Sequence, residues 1–230
     1  MKRMILWGLA VSLATSPAFS RERKPPEGFA NPSAAITAEI AFAQLAQDKG
    51  QWTAFRTTAT KDAVMFVPQM VLAQDHLRDK PNPPVSVKWQ PHQVWSSCDG
   101  SIAVTRGAWQ SDKATGWFTT IWQRQKKGDY KWLMDQGDET PMALDAPDMI
   151  VAKVAECPPN YRGGKQKRKD AKGKIGLGDP AFRTGKSDDG TLTWEVRVAP
   201  DGARNFTMSL KLDGALTPVQ VVEVAAPPAR

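Results

Sequence analysis

The sequence predicts an α+β fold: N-terminal helices against a conical, curved antiparallel sheet, followed by a three-stranded β meander. Three observations predict it. Apolar residues recur at helical spacing between positions 33 and 60. Long segments rich in aromatic and β-branched residues, separated by turn signals, fill positions 85–136. Strict apolar/polar alternation returns between 191 and 224. Helices first and strands afterwards is the order of an α+β architecture.

The first helix begins with Ser33 as N-cap after Pro32, buries Ile36, Ile40, Ala43 and Ala46 on one stripe widened by Phe42 and Leu45, and stops at Gly50. A second, shorter helix starts at Trp52 and Phe55 and ends near Thr60. Positions 63–67 (AVMFV) read as a buried strand halted by Pro68, and 71–78 as a helical turn before a rigid proline-rich connection. Four strands follow, over 85–95, 101–110, 116–125 and 130–136. Asp99-Gly100 is a strong hairpin signal in the turn between the first two of them.

At 230 residues, 41% apolar, the chain is long enough to bury a sizeable core and too apolar to be disordered. Two cysteines exclude a disulfide-dense miniature and a multi-cysteine zinc site. No metal site and no cofactor is expected. The net charge of +7 is local: Lys2 and Arg3 supply two of these charges, and positions 162–174 set seven basic side chains against Asp170. The remainder is close to neutral, so no nucleic-acid partner is expected.

Positions 1–20 read as a secretory signal peptide: Lys2 and Arg3, a short apolar run, and Ala18 and Ser20 before a cut ahead of Arg21. The run is too short to span a bilayer, and no later segment is apolar enough to do so. The chain is thus expected to be exported, to the periplasm or outside the cell. Positions 21–32 read as a linker, 33–140 as a first domain, 141–187 as a connection with a basic flexible loop, and 188–226 as the meander.

Four segments carry a resemblance: AITAEIAFAQLAQDKGQWTAF (35–55), DAVMFVP (62–68), TRGAWQ (105–110) and GWFTTIWQRQKKGDYKWLMDQGD (116–138). Together, over about 33–140, they resemble the nuclear-transport-factor-2-like superfamily, and more closely its SnoaL-like branch. The resemblance implies a cone of curved sheet around helices with an apolar cavity open at one end. It also implies that function is open, since such members include isomerases, dehydratases, cyclases, binding domains and assembly domains.

Asp135 stands where cyclase-like members carry a catalytic acid. It shares strand parity with Leu133 and opposes Trp132, Met134 and Gln136; which set faces inward is not legible. The isomerase-type tyrosine is absent, because Tyr130 lies at a hairpin edge and Tyr161 outside the domain. His76 and His92 are the partners expected for Asp135 in acid–base chemistry. Seven of the nine tryptophans fall in the first domain. The expected pocket wall is Trp52, Phe55, Phe66, Trp89, Trp109, Phe118, Trp122 and Trp132. The meander over 188–226 exposes one apolar face, to be covered by the first domain or by a second copy of the chain in a homodimer. In an oxidising compartment Cys98 and Cys157 are expected to pair, clipping the connection to the hairpin end of the cone.

Three functional readings follow. The leading one is an exported protein that binds a small hydrophobic ligand in the cone. The others are an acid–base isomerase, cyclase or dehydratase using Asp135 with a histidine, and a structural or envelope-interaction protein whose cone is filled by its own tryptophans.

Overall fold

A computed structural model describes residues 28–163 and 177–228. The leader, most of the linker and nearly all of the basic segment lie outside the described residues. The elements are α1 (Pro32–Lys49), α2 (Gln51–Thr58), β1 (Ala59–Phe66), β2 (Met70–Leu72), α3 (Ala73–His76), β3 (Lys88–Ser96), β4 (Ile102–Gln110), β5 (Thr115–Arg124), β6 (Tyr130–Thr140) and β7 (Val151–Val154). They continue with β8 (Phe182–Lys186), β9 (Leu192–Val198), β10 (Arg204–Leu212) and β11 (Ala215–Val224). No helix among the described residues is long and apolar enough to cross a membrane.

Helix α1 is capped by Asn31, whose side chain accepts from the Ala34 N–H at 3.2 Å, with Pro32 opening the first turn. That corrects the expectation of Ser33 as cap: Pro32 has no N–H to lose and its φ is already helical. The buried stripe is also rotated from the expected one. Ala35, Glu39, Phe42 and Ala46 face the sheet, while Ile40 is 52% exposed. Small residues at 35 and 46 let the helix lie close to the strands, and the sheet offers donors for the carboxylate at 39.

The first sheet has the order β2-β1-β6-β5-β4-β3-β7. β1 pairs parallel to β6 and β7 parallel to β3; the remaining pairs are antiparallel. Its concave face closes on α1 and α2 around Phe42, Phe55, Val94, Trp122 and Trp132. The second sheet has four strands, β11-β10-β9-β8, rather than the expected three. The extra strand β8, FRTGK, alternates too weakly to be read as one, and its residues are half-buried or exposed.

The apolar face of the second sheet is covered by the convex face of the first. Leu192, Trp194, Val196, Phe206, Met208 and Leu210 form one buried cluster with Ile102, Val104, Ile121 and Met134. The Arg204 guanidinium crosses this layer, donating to Gln136 Oε1 at 3.1 Å and to the Gly137 carbonyl at 2.6 Å.

Two hairpin turns of the same pattern meet back to back at one end of this layer: SCDGSI at 97–102 and SDDGTL at 187–192. Each serine donates to the aspartate two positions on, at 2.6 Å in both turns. Their mutual bonds are reciprocal. The Asp99 N–H donates to Asp189 Oδ2 (2.8 Å) and the Asp189 N–H to Asp99 Oδ2 (3.0 Å). The Cys98 N–H donates to Thr191 Oγ1 and the Asp188 N–H to Ser101 Oγ, each at 2.9 Å. Cys98 also forms the expected disulfide with Cys157, 59 positions away. Asp189 accepts four hydrogen bonds in this clasp. Asp189→Ala should therefore cost about 3 kcal/mol of unfolding free energy by denaturant titration. A loss under about 0.5 kcal/mol, the size of an ordinary surface change, would contradict the role given to the clasp.

Candidate functional site

The site is the open end of the cone. Here α2 supplies Trp52 and Phe55, β3 Trp89, β4 Trp109, β5 Phe118 and β6 Asp135, around a cavity of about 380 Å³. The aromatic side chains leave this space rather than fill it. Trp109 reaches its place because β5 and β6 present glycine beside it. A Cβ on Gly116 would meet the indole at 2.4 Å, and one on Gly137 would sit 3.5 Å from its Nε1. A larger groove of about 520 Å³ lies outside the cone, between α1, the start of β3 and residues 147–150.

A bulge decides which way Asp135 points. Trp122 pairs with Trp132 and Ile121 with Met134, so Leu133 is an extra residue on β6. Such an insertion shifts the alternation by one. Trp132 and Asp135, of opposite parity by simple counting, therefore both face the helices. Gln136 faces the second sheet, where it meets Arg204.

Asp135 is partly buried and its Oδ2 accepts from Thr120 Oγ1 at 2.7 Å. Among the described residues nothing donates to Oδ1. Burial pushes the carboxyl up to about 7, with the nearby Glu39 charge adding to the rise and the Thr120 bond and Arg204 opposing it.

Glu39 is the residue that sequence reading missed. It is fully buried, and its carboxylate accepts from Trp89 Nε1 (2.7 Å), Thr105 Oγ1 (2.5 Å) and Trp122 Nε1 (3.0 Å). Burial raises its pKa, and the bonds from Thr105, Trp89 and Trp122 offset part of that rise. Glu39 thereby fixes Trp89, one wall of the cavity, and its charge acts on Asp135. The signal was present: an acid four positions after Ala35 and three before Phe42 lies on a stripe of otherwise small and apolar residues.

The histidines are not partners of Asp135. His92 is the bulged residue of β3, between Pro91 and Gln93 in the register. Its buried Nε2 has no hydrogen-bond partner, and burial lowers its pKa. His76, on α3, lies 3.3 Å from Lys80 Nζ; burial and that charge lower its pKa.

Three expected wall residues lie elsewhere. Phe66 alternates with Met65 on β1, so it faces the second sheet, under the Arg204 guanidinium at 5.1 Å. Trp122 and Trp132 are locked in the core by their indole N–H groups, Trp122 on Glu39 and Trp132 on the Phe55 carbonyl at 3.1 Å. Neither tyrosine reaches the cavity: Tyr130 donates to the Gly100 carbonyl and Tyr161 to the Gly28 carbonyl, each at 2.6 Å.

No protein-family model and no curated protein matches the sequence. Solved structures do. A ketosteroid isomerase-like protein from Erwinia carotovora atroseptica SCRI1043 is 15% identical, with a TM-score of 0.39 over 49% of this chain and 99% of that one. An NTF-2 like protein of unknown function from Silicibacter pomeroyi DSS-3 is 13% identical, with a TM-score of 0.36 over 48% of this chain and 99% of that one. Another, from Burkholderia xenovorans LB400, is 15% identical, with a TM-score of 0.34 over 50% and 89%.

Proposed function

We propose that this is an exported protein that binds a small hydrophobic ligand in the cone. The observation that carries the reading is the cavity of about 380 Å³, walled by Trp52, Phe55, Trp89, Trp109 and Phe118 with Asp135 exposing one free oxygen. A few polar groups within an aromatic wall is the composition of small-molecule pockets, and the volume is in their range. Export is supported by the leader pattern at 1–20 and by the Cys98–Cys157 bond, which suits an oxidising compartment.

The second reading, acid–base catalysis, is favoured by one observation: a pocket carboxyl brought to about 7 is half-ionised near neutral pH, where a general acid or base works best. Against it, the two tyrosines bond elsewhere, and of the three indole N–H groups lining the cavity those of Trp89 and Trp109 are already donated to Glu39 and to the Trp117 carbonyl, which leaves the Trp52 N–H alone. Stabilising a developing oxyanion needs donors held ready for it. Binding is therefore the better reading.

The test is titration with N-phenylnaphthylamine, a neutral apolar probe. Tryptophan emission should fall saturably at one probe per chain, because Trp52, Trp89 and Trp109 line the cavity. Unchanged emission with no saturable probe signal would overturn the reading.

A further inference from the structure

We propose that the cone pocket selects cationic amphiphiles, ligands whose apolar body carries a quaternary ammonium or a protonated amine. The inference rests on reading the cone as a ligand pocket and names the chemistry of its occupant.

Aromatic side chains make up much of the wall, and among the described residues its charged side chains are all acidic. Asp135 stands inside, and Asp138 and Glu139 follow on the same strand at the exposed mouth. Among the described residues, no lysine or arginine lines this cavity. Asp135 Oδ2 is held by Thr120, while Oδ1 accepts nothing from the described residues, so one oxygen is left for the occupant. One ring of this wall already carries an ammonium group: Lys80 Nζ stands 4.7 Å from the Trp52 ring centroid. An ammonium among such rings gains cation–π attraction, strongest where water is excluded, and a carboxylate beside it adds charge pairing.

Among the described residues, other charged groups face Asp135 from three neighbouring elements. From α1, Glu39 acts on it with the same sign. From β10, Arg204 acts with the opposite sign, but its guanidinium is bonded to Gln136 and Gly137 on the far side of β6 and stacked on Phe66. From β3, His92 has its pKa lowered by burial alone, and Lys88 lines the outer grooves rather than this cavity. Lys80 remains on Trp52.

The test compares three naphthylmethyl probes by calorimetry on the full mature chain: a trimethylammonium, its neutral carbon isostere and a sulfonate. The ammonium should bind about 10-fold more tightly than the isostere, and the sulfonate more weakly than either. The quaternary charge does not titrate. Its affinity should therefore rise between pH 5 and pH 8 as Asp135, near 7, ionises, while the isostere shows no rise. In Asp135→Asn, which keeps the shape, that rise should vanish with isostere binding retained. Equal affinity for ammonium and isostere, or an ammonium affinity indifferent to pH in the parent protein, would overturn this inference and leave the pocket reading intact. Failure of all three probes and of N-phenylnaphthylamine would overturn both.

Discussion

Glu39→Ala should lower the unfolding free energy by about 3 kcal/mol, the cost of leaving buried neutral donors without their acceptor. The substitution takes a fully buried acceptor from Trp89, Trp122 and Thr105. A buried donor without a partner costs about 1–3 kcal/mol, and alanine also leaves a void where the side chain packed. Relief from burying a carboxylate returns part of this, as shown by the raised pKa of Glu39. Glu39→Gln keeps the shape and one carbonyl acceptor, so it should retain most of the stability. Denaturant unfolding followed by tryptophan emission reads both variants; an alanine variant as stable as the parent would contradict the network. The same chemistry sets the pH response. Glu39 and Asp135 both have pKa values raised in the folded chain, so over that interval the folded state holds more protons than the unfolded one. Their contribution is therefore greatest below the ordinary carboxylate range and declines as pH rises, for Asp135 between about 4 and about 7. Asp135→Asn should remove its share of the decline.

Loss of the Cys98–Cys157 bond should be comparable in size. The bond closes a loop of 59 positions, worth about 4 kcal/mol in the chain-entropy description of the unfolded state. Native contacts add to what it anchors. Cys98 sits within the clasp between the two sheets, and beside Cys157 the Ala155 N–H donates to the Ser96 carbonyl and the Glu156 N–H to the Lys211 carbonyl, each at 2.9 Å. The bond thus fastens the exit of β7 where the two sheets meet. A double Cys98→Ser, Cys157→Ser variant should unfold at a markedly lower denaturant concentration, and reductant should move the parent to the same midpoint. Coincident oxidised and reduced curves would show that the bond adds nothing.

Much of the fold was legible because its strands alternate cleanly or are dense in aromatic and β-branched residues, and their turns carry Asp-Gly or Pro-Asp-Gly. The cysteine pairing was legible because two cysteines admit one intramolecular bond. The face of α1 was misread because Ile36 and Ile40 suggest an apolar stripe. The helix instead turns Ala35 and Ala46 inward for close approach, together with an acid that the sheet can satisfy. The orientation of Asp135 was not legible because the bulge at Leu133 has no residue signature: it arises from pairing with β5, which single-strand alternation does not contain. The position of His92 at the bulge of β3 was hidden for the same reason. The clasp was legible in principle, as two matching six-residue turns, although their docking depends on the packing of the two sheets.

The central claim is that the cone is a ligand pocket, and the most direct measurement is native mass spectrometry of the protein isolated gently from the cells that make it. The account predicts a population heavier than the polypeptide by the mass of one small organic molecule. That mass should disappear on denaturation and should be lost or reduced in a variant with Trp89 and Phe118 changed to alanine. Only the bare polypeptide mass, in preparations that also fail to take up any probe offered, would contradict it.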